Sequence, residues 1–195
     1  MQNFATKCVY RDVRQKKMMA DTSHIVAQLK RGEPQACNML ISAYGNYVFR
    51  IVQRIVQRTQ DAEEVYQDVF LKVVRGISSF DDSKASLATW IGRIAYNEAV
   101  NFARRTSPYL IDIDDVNINC DMPDEAESNE QIIAQLESAI EMLTPHERTI
   151  IAMFYFDDLS LRDIAYITGI PAATVGSQLS RIRQKLYRNI QTLQR

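Results

Sequence analysis

The sequence predicts an all-α protein: two small helical domains joined by an acidic linker, the C-terminal one a helix-turn-helix. Three observations carry that prediction. Apolar side chains recur at steps of three and four in one stretch after another, the period of a helix with one buried face. Residues 107 to 130 hold Asp112, Asp114, Asp115, Asp121, Asp124, Glu125, Glu127 and Glu130 without one Lys or Arg, which divides the chain. Near the C-terminus a short stripe, Gly169 and a longer stripe succeed one another as in a helix-turn-helix. The divisions are a tail over 1–20, a first domain over 21–105, the linker over 106–129 and a second domain over 130–195.

Residues 1–20 are basic and weakly periodic, and read as a tail. Asp21 or Ser23 caps a short helix running to Arg31, with Gly32 ending it. Glu33 is the next cap, with Pro34 in the first turn. From there Cys37, Leu40, Ile41, Tyr44, Val48, Ile51, Val52 and Ile55 form one stripe, the scaffold of the first domain. The next helix buries Ala62, Val65, Tyr66, Val69, Phe70 and Val73. Its other face shows Glu64, Gln67, Asp68, Lys72 and Arg75, with Leu71 among them. Gly76 ends it, Asp81 to Ser83 make a turn, and Ser86 or Thr89 opens a further helix. That helix buries Leu87, Trp90, Ile91, Ile94, Ala95, Ala99 and Phe102 and shows Arg93, Asn97, Asn101 and Arg104. A largely acidic face suits a protein partner; a face of amides and arginines suits nucleic acid.

The linker contains Pro108 and Pro123 and has no helical stripe. Fully extended, it would reach roughly 80 Å, enough to seat the two domains on well-separated sites. Beyond it, Ile132, Ile133, Leu136, Ala139, Ile140 and Leu143 restore the helical period. Thr144-Pro145-His146-Glu147 then spells a capping box with proline at the first helical position. In the last helix Val175, Leu179, Ile182 and Leu186 face inward, leaving Thr174, Ser177, Gln178, Arg181 and Lys185 for the major groove. Arg181 and Gln178 have the donors to read base edges, while Arg183, Lys185 and Arg188 suit phosphate.

Composition excludes several classes. The hydrophobic content of 46% and charged content of 24% are those of an ordinary globular protein. No apolar run is long enough to cross a membrane and no signal-peptide pattern opens the chain, so a cytoplasmic place is expected and membrane insertion is not. Cys8, Cys37 and Cys120 show no paired spacing, and only His24 and His146 could join them, so no metal and no disulfide is expected. There is no nucleophile–base grouping and no phosphate-cradling glycine loop, and Asp81–Asp82 reads as a turn; neither enzymatic activity nor a cofactor is expected. The net charge of −1 hides segregation. Setting the eight linker acids aside leaves 23 basic side chains against 16 acidic ones, a balance of +7.

The run DAEEVYQDVFLKV followed by TWIGRIAYNEAVNFARR resembles the promoter-melting domain of bacterial RNA polymerase sigma factors, specifically the extracytoplasmic-function (ECF) group. The C-terminal segment resembles the domain of that family that reads the minus-thirty-five promoter element. One departure is Gly176, where relatives commonly carry Lys or Arg; the loss weakens a backbone contact or permits closer helix approach. The resemblance implies core RNA polymerase, promoter DNA and an anti-sigma factor as partners. It implies that Asp61, Glu64, Gln67, Asp68 and Leu71 dock the polymerase clamp. It also implies that the loop before TWIGRIAYNEAV holds a base flipped from the non-template strand, with Asn97 at a DNA-contacting position. Phe80, Ser83, Lys84, Ala85, Ser86 and Leu87 are the residues that could build that pocket, Phe80 serving either as stacking platform or as core plug. A free-standing helix-turn-helix regulator is the alternative reading.

Overall fold

Among the residues that the computed structural model describes, 22–106 and 129–193, the chain is helical with no strand. Helix α1 covers 22–30, and Gly32, at φ +72°, makes the left-handed turn that stops it. α2 (Pro34–Ile55) begins with proline in its first turn as predicted, yet Glu33 makes no capping bond. Its carboxylate instead takes the Arg31 Nε–H at 2.7 Å. α3 (Thr59–Gly76) runs into a 3-10 turn over Ile77–Ser79, and α4 (Leu87–Thr106) comes after the polar loop. Ser86 opens α4: its Oγ accepts the Thr89 N–H at 3.1 Å. The three long helices pack on one another. Their common interior is filled by Leu40, Val48 and Ile51 of α2, Val65, Val69 and Val73 of α3, and Leu87, Ile91 and Ala99 of α4. Burying each large aliphatic among them contributes about 1.5–3 kcal/mol.

The second group comprises α5 (Asn129–Glu141), α6 (Pro145–Tyr155), α7 (Leu161–Thr168) and α8 (Ala172–Leu193). The predicted capping box starts α6: Thr144 Oγ accepts from Glu147 N at 3.3 Å, and Glu147 Oε2 accepts from Thr144 N at 2.8 Å. A second box, Ser160 with Asp163, starts α7. Gly169, at φ +76°, closes α7 in the left-handed conformation and aims the chain into α8. Val175, Leu179, Ile182 and Leu186 are buried as expected. The tail over 1–20 and the acidic segment over 107–128 lie outside the described residues.

Helix α4 lies along α7 and α2 along α6, and the buried side chains of both groups form one continuous cluster.

Candidate nucleic-acid interface

The polar face of α3 is open. Glu64, Gln67 and Asp68 are exposed, and Leu71 is 52% exposed in spite of its apolar side chain. Asp61, half-buried, lies 3.9 Å from Arg58. Beside Leu71 runs an apolar groove lined by Cys37, Ile41, Tyr66, Phe70 and Val74. Acid, amide and bare hydrocarbon thus share one surface.

On α4, Arg93, Asn97, Asn101 and Arg104 are all exposed. Their spacing of three and four residues aligns them down one side of the helix, a strip of about 16 Å at 1.5 Å per residue. The preceding loop is tied by its own polar groups. Asp81 Oδ1 accepts from Ser83 N at 3.0 Å and from Ser83 Oγ at 2.7 Å, and Lys84 Nζ lies 3.2 Å from Asp81 Oδ2. These bonds, those of Ser83 foremost, hold the exposed Asp81 carboxyl below its usual range. Ser83, Lys84 and Ser86 are exposed on this loop.

Phe80 is not: at 9% exposure it is part of the core, its ring 5.4 Å from that of Trp90. Its place as a stacking platform is therefore corrected, and the core plug prevails. The physical reason is that the 3-10 turn after α3 points the ring back toward the start of α4, where Trp90 offers more apolar surface than water does. Arg93 also differs from a bare DNA contact, because its guanidinium sits over the Tyr166 ring of α7, 4.9 Å from the centroid.

On α8, Thr174, Ser177 and Arg183 are exposed and Arg181 is half-buried. One outward assignment is corrected, that of Gln178, and Lys185 has a partner within the domain. Gln178 turns its Oε1 into the interior and lies against the His146 ring. Lys185 Nζ lies 2.8 Å from Glu147 Oε2 and 3.1 Å from Oε1, held by the carboxylate that caps α6. Gln178 lies on the flank of the buried stripe, three residues from Val175 and four from Ile182, so a stripe wider by one column takes it in. Gly176 demands no special explanation from packing: an added Cβ would stand 3.7 Å from Leu161 Cδ1, an ordinary contact.

His146 connects this domain to the other: its Nδ1 lies 3.0 Å from the Tyr96 hydroxyl of α4. Burial holds the His146 pKa below the usual 6.5, and the Glu147 carboxylate and the Gln178 amide offset that only in part. Burial would raise Glu147 as well, but Lys185 and the Thr144 N–H carry it below its usual value. The unfolded chain takes up both protons more readily than the folded one. Stability from His146 is thus present above about pH 6.5 and lost as pH falls below that toward its folded value, and stability from Glu147 is lost in turn at lower pH. Thermal unfolding monitored between pH 7.5 and 4 should show a falling midpoint that starts with His146. His146→Gln should flatten the upper part of that fall and leave the lower part.

Among the described residues, no group of three His, Cys, Asp or Glu could hold a metal, and no helix is long and apolar enough to cross a membrane.

Comparison with known proteins matches the chain in two segments. The family description Sigma-70 region 2 matches residues 40–108, and Sigma-70, region 4 matches residues 133–186. The ECF RNA polymerase sigma-E factor of Haemophilus influenzae is 32% identical over 181 residues, spanning 87% of this chain and 95% of that protein. Among solved structures, CnrH in complex with the cytosolic domain of CnrY aligns at a TM-score of 0.63 and 18% identity over 88% of this chain and 98% of the other. The sigma factor RpoE in complex with the anti-sigma factor NepR from Bartonella quintana aligns at 0.58 and 21% over 79% and 96%. Both support the all-α fold. The chain belongs to the ECF group of RNA polymerase sigma factors. It directs promoter-specific transcription, and the region 2 match upstream of the helix-turn-helix sets the free-standing regulator aside.

Proposed function

We infer that three surfaces divide the work of initiation. The α3 face, with Asp61, Glu64, Gln67, Asp68 and Leu71, docks core RNA polymerase. The strip Arg93, Asn97, Asn101 and Arg104 on α4, with Ser83, Lys84 and Ser86 before it, holds the opened non-template strand. On α8, Thr174, Ser177, Arg181 and Arg183 engage the upstream element, Arg181 reading a base edge. The chain acts in the cytoplasm without catalysis of its own, polymerase supplying the chemistry. An anti-sigma factor is its further partner in this reading; the Bartonella relative is paired with one.

The observation that carries the reading is the α4 strip, four exposed residues with guanidinium or amide heads aligned on one helix side. Such heads satisfy phosphate and the edges of unpaired bases without demanding a duplex. A strand held this way exists only after melting. Asn97→Ala, and separately replacement of residues 83–86 by glycine, should therefore leave closed-complex formation within about twofold. Permanganate reactivity of the opened strand should fall several-fold. Normal footprints in both variants would move strand recognition off this surface.

A further inference from the structure

The outer surface of the first domain stays open where α2 and α3 lie side by side. Cys37 and Ile41 of α2 face Tyr66, Phe70, Leu71 and Val74 of α3 across an apolar groove. Ile41 is 43% exposed there and Leu71 more so, bare hydrocarbon that a folded surface seldom gathers in one place. Past the Tyr66 ring the groove opens into a second hollow, lined by Gly45, Asn46 and Phe49. Gly45 lets that ring lie against α2, since an added Cβ would stand 2.8 Å from the Tyr66 hydroxyl. Ile41 and Tyr66 line both hollows, so the two are continuous. From Cys37 to Phe49 the groove follows α2 for roughly 18 Å, at 1.5 Å per residue.

Its α3 wall turns acidic. Glu63 stands three and four residues before Tyr66 and Gln67, and Glu64 stands three before Gln67 and seven before Leu71. Both therefore border the groove side of the helix, and both are exposed. An apolar groove with a carboxylate rim fits a partner that sets hydrocarbon among cations. This chain carries such a segment. Residues 1–20 hold Lys7, Arg11, Arg14, Lys16 and Lys17 against a single acid, Asp12. Phe4, Val9, Tyr10 and Val13 stand among them. Helix α1 brings the end of that segment to the groove. Thr22 Oγ1 lies 3.1 Å from the Tyr44 hydroxyl, and Tyr44 shares a turn of α2 with Ile41 and Gly45. Twenty residues span up to roughly 66 Å when extended, more than three times the length of the groove.

We propose that the N-terminal segment of this chain occupies the groove between α2 and α3, its apolar side chains over Tyr66 and Leu71 and its cations against Glu63 and Glu64. The groove shares Gln67 and Leu71 with the proposed polymerase-docking face, so the segment competes with core polymerase for them. That consequence rests on the docking reading, whereas the occupancy of the groove does not. Ion pairs at an exposed rim weaken as salt rises, so the cover is tightest at low ionic strength.

The test uses the full chain with Cys8→Ser and Cys120→Ser, which leaves Cys37, half-buried in the groove, as its single thiol. The rate of maleimide labelling reads how far that thiol is covered. Arg11→Glu with Arg14→Glu and Lys17→Glu should label roughly fivefold faster at low salt, as the open fraction rises. Adding Glu63→Lys and Glu64→Lys to that form exchanges the charges and should restore slow labelling. A separate form, Val9→Ser with Tyr10→Ser and Val13→Ser, keeps every charge and should also label faster. It leaves the docking face untouched and should bind core polymerase several-fold more tightly than the parent. Carbodiimide coupling of the parent should join Lys16 or Lys17 to Glu63 or Glu64 within one chain, and circular dichroism should be alike in all forms. Equal labelling rates in the parent and both segment variants, or a charge-exchanged form that stays fast, would overturn the proposal. Couplings found only between chains would overturn it by seating a second copy in the groove. Faster labelling without tighter polymerase binding would overturn the competition. If Leu71→Ala also leaves polymerase affinity unchanged, the docking reading has failed, and labelling and coupling alone decide what fills the groove.

Discussion

Arg181→Ala should weaken binding to a matched upstream duplex by roughly 5- to 150-fold, the 1–3 kcal/mol that a good base-edge contact supplies. Binding to a scrambled duplex should hardly change. Arg181 lies on α8 between Gln178, whose amide oxygen is buried, and Lys185, whose ammonium is paired with Glu147. The task of discrimination therefore falls on fewer side chains than the sequence suggests. Arg183→Ala is the companion measurement. An exposed cation that touches phosphate serves every sequence alike, so its loss should weaken matched and scrambled duplexes equally and reduce the salt slope by about one. Equal losses for Arg181→Ala on both duplexes would make that residue a phosphate contact too. Lys185→Ala belongs to another class: it breaks the contact to Glu147 and should lower the domain's stability before it alters DNA binding.

The second large effect is expected on polymerase binding. Asp68→Arg with Gln67→Ala should reduce affinity for core polymerase at least tenfold, and Leu71→Ala should cost about 2 kcal/mol if it anchors the interface. All three residues are exposed. Substitutions at such positions usually shift stability by no more than about 0.5 kcal/mol, so the unfolding midpoint should hold. Direct titration of fluorescent core polymerase reads the effect. Unchanged affinity in both variants would remove the docking role from α3.

Helices were legible because burial repeats with the helical period: Val65, Val69 and Val73, or Val175, Leu179 and Ile182, announce a face by spacing alone. The α6 capping box was legible for the same local reason, its partners being three residues apart. Gln178 was misplaced because a stripe read at four inward positions leaves its flanks undecided, and tertiary neighbours decide them. Phe80 sits in a loop, where no period applies. Least legible was the contact between the two groups of helices. Arg50 and Asp157 are 107 residues apart and Tyr96 and His146 are 50 apart, so no local pattern joins them. Gly92 carried a faint signal, a glycine inside an otherwise strong helix, without saying which neighbour required it.

The seam between α4 and α7 has a bearing on how much attraction it must supply. The two domains are halves of one chain, joined through residues 107–128, so their encounter is intramolecular. Two sites on one chain meet at an effective concentration that can reach the order of millimolar. Contacts with an intrinsic dissociation constant of that order, about 4 kcal/mol of attraction, then suffice to keep half the molecules shut. The Asp157 carboxylate held by Arg50 and Arg54, and Gly92 against Ile167, are of a fitting scale. The same arithmetic makes opening easy. A partner that captures either domain at micromolar strength displaces the tethered half, and lengthening the segment over 107–128 would shift the balance toward the open form with every contact in the seam left in place.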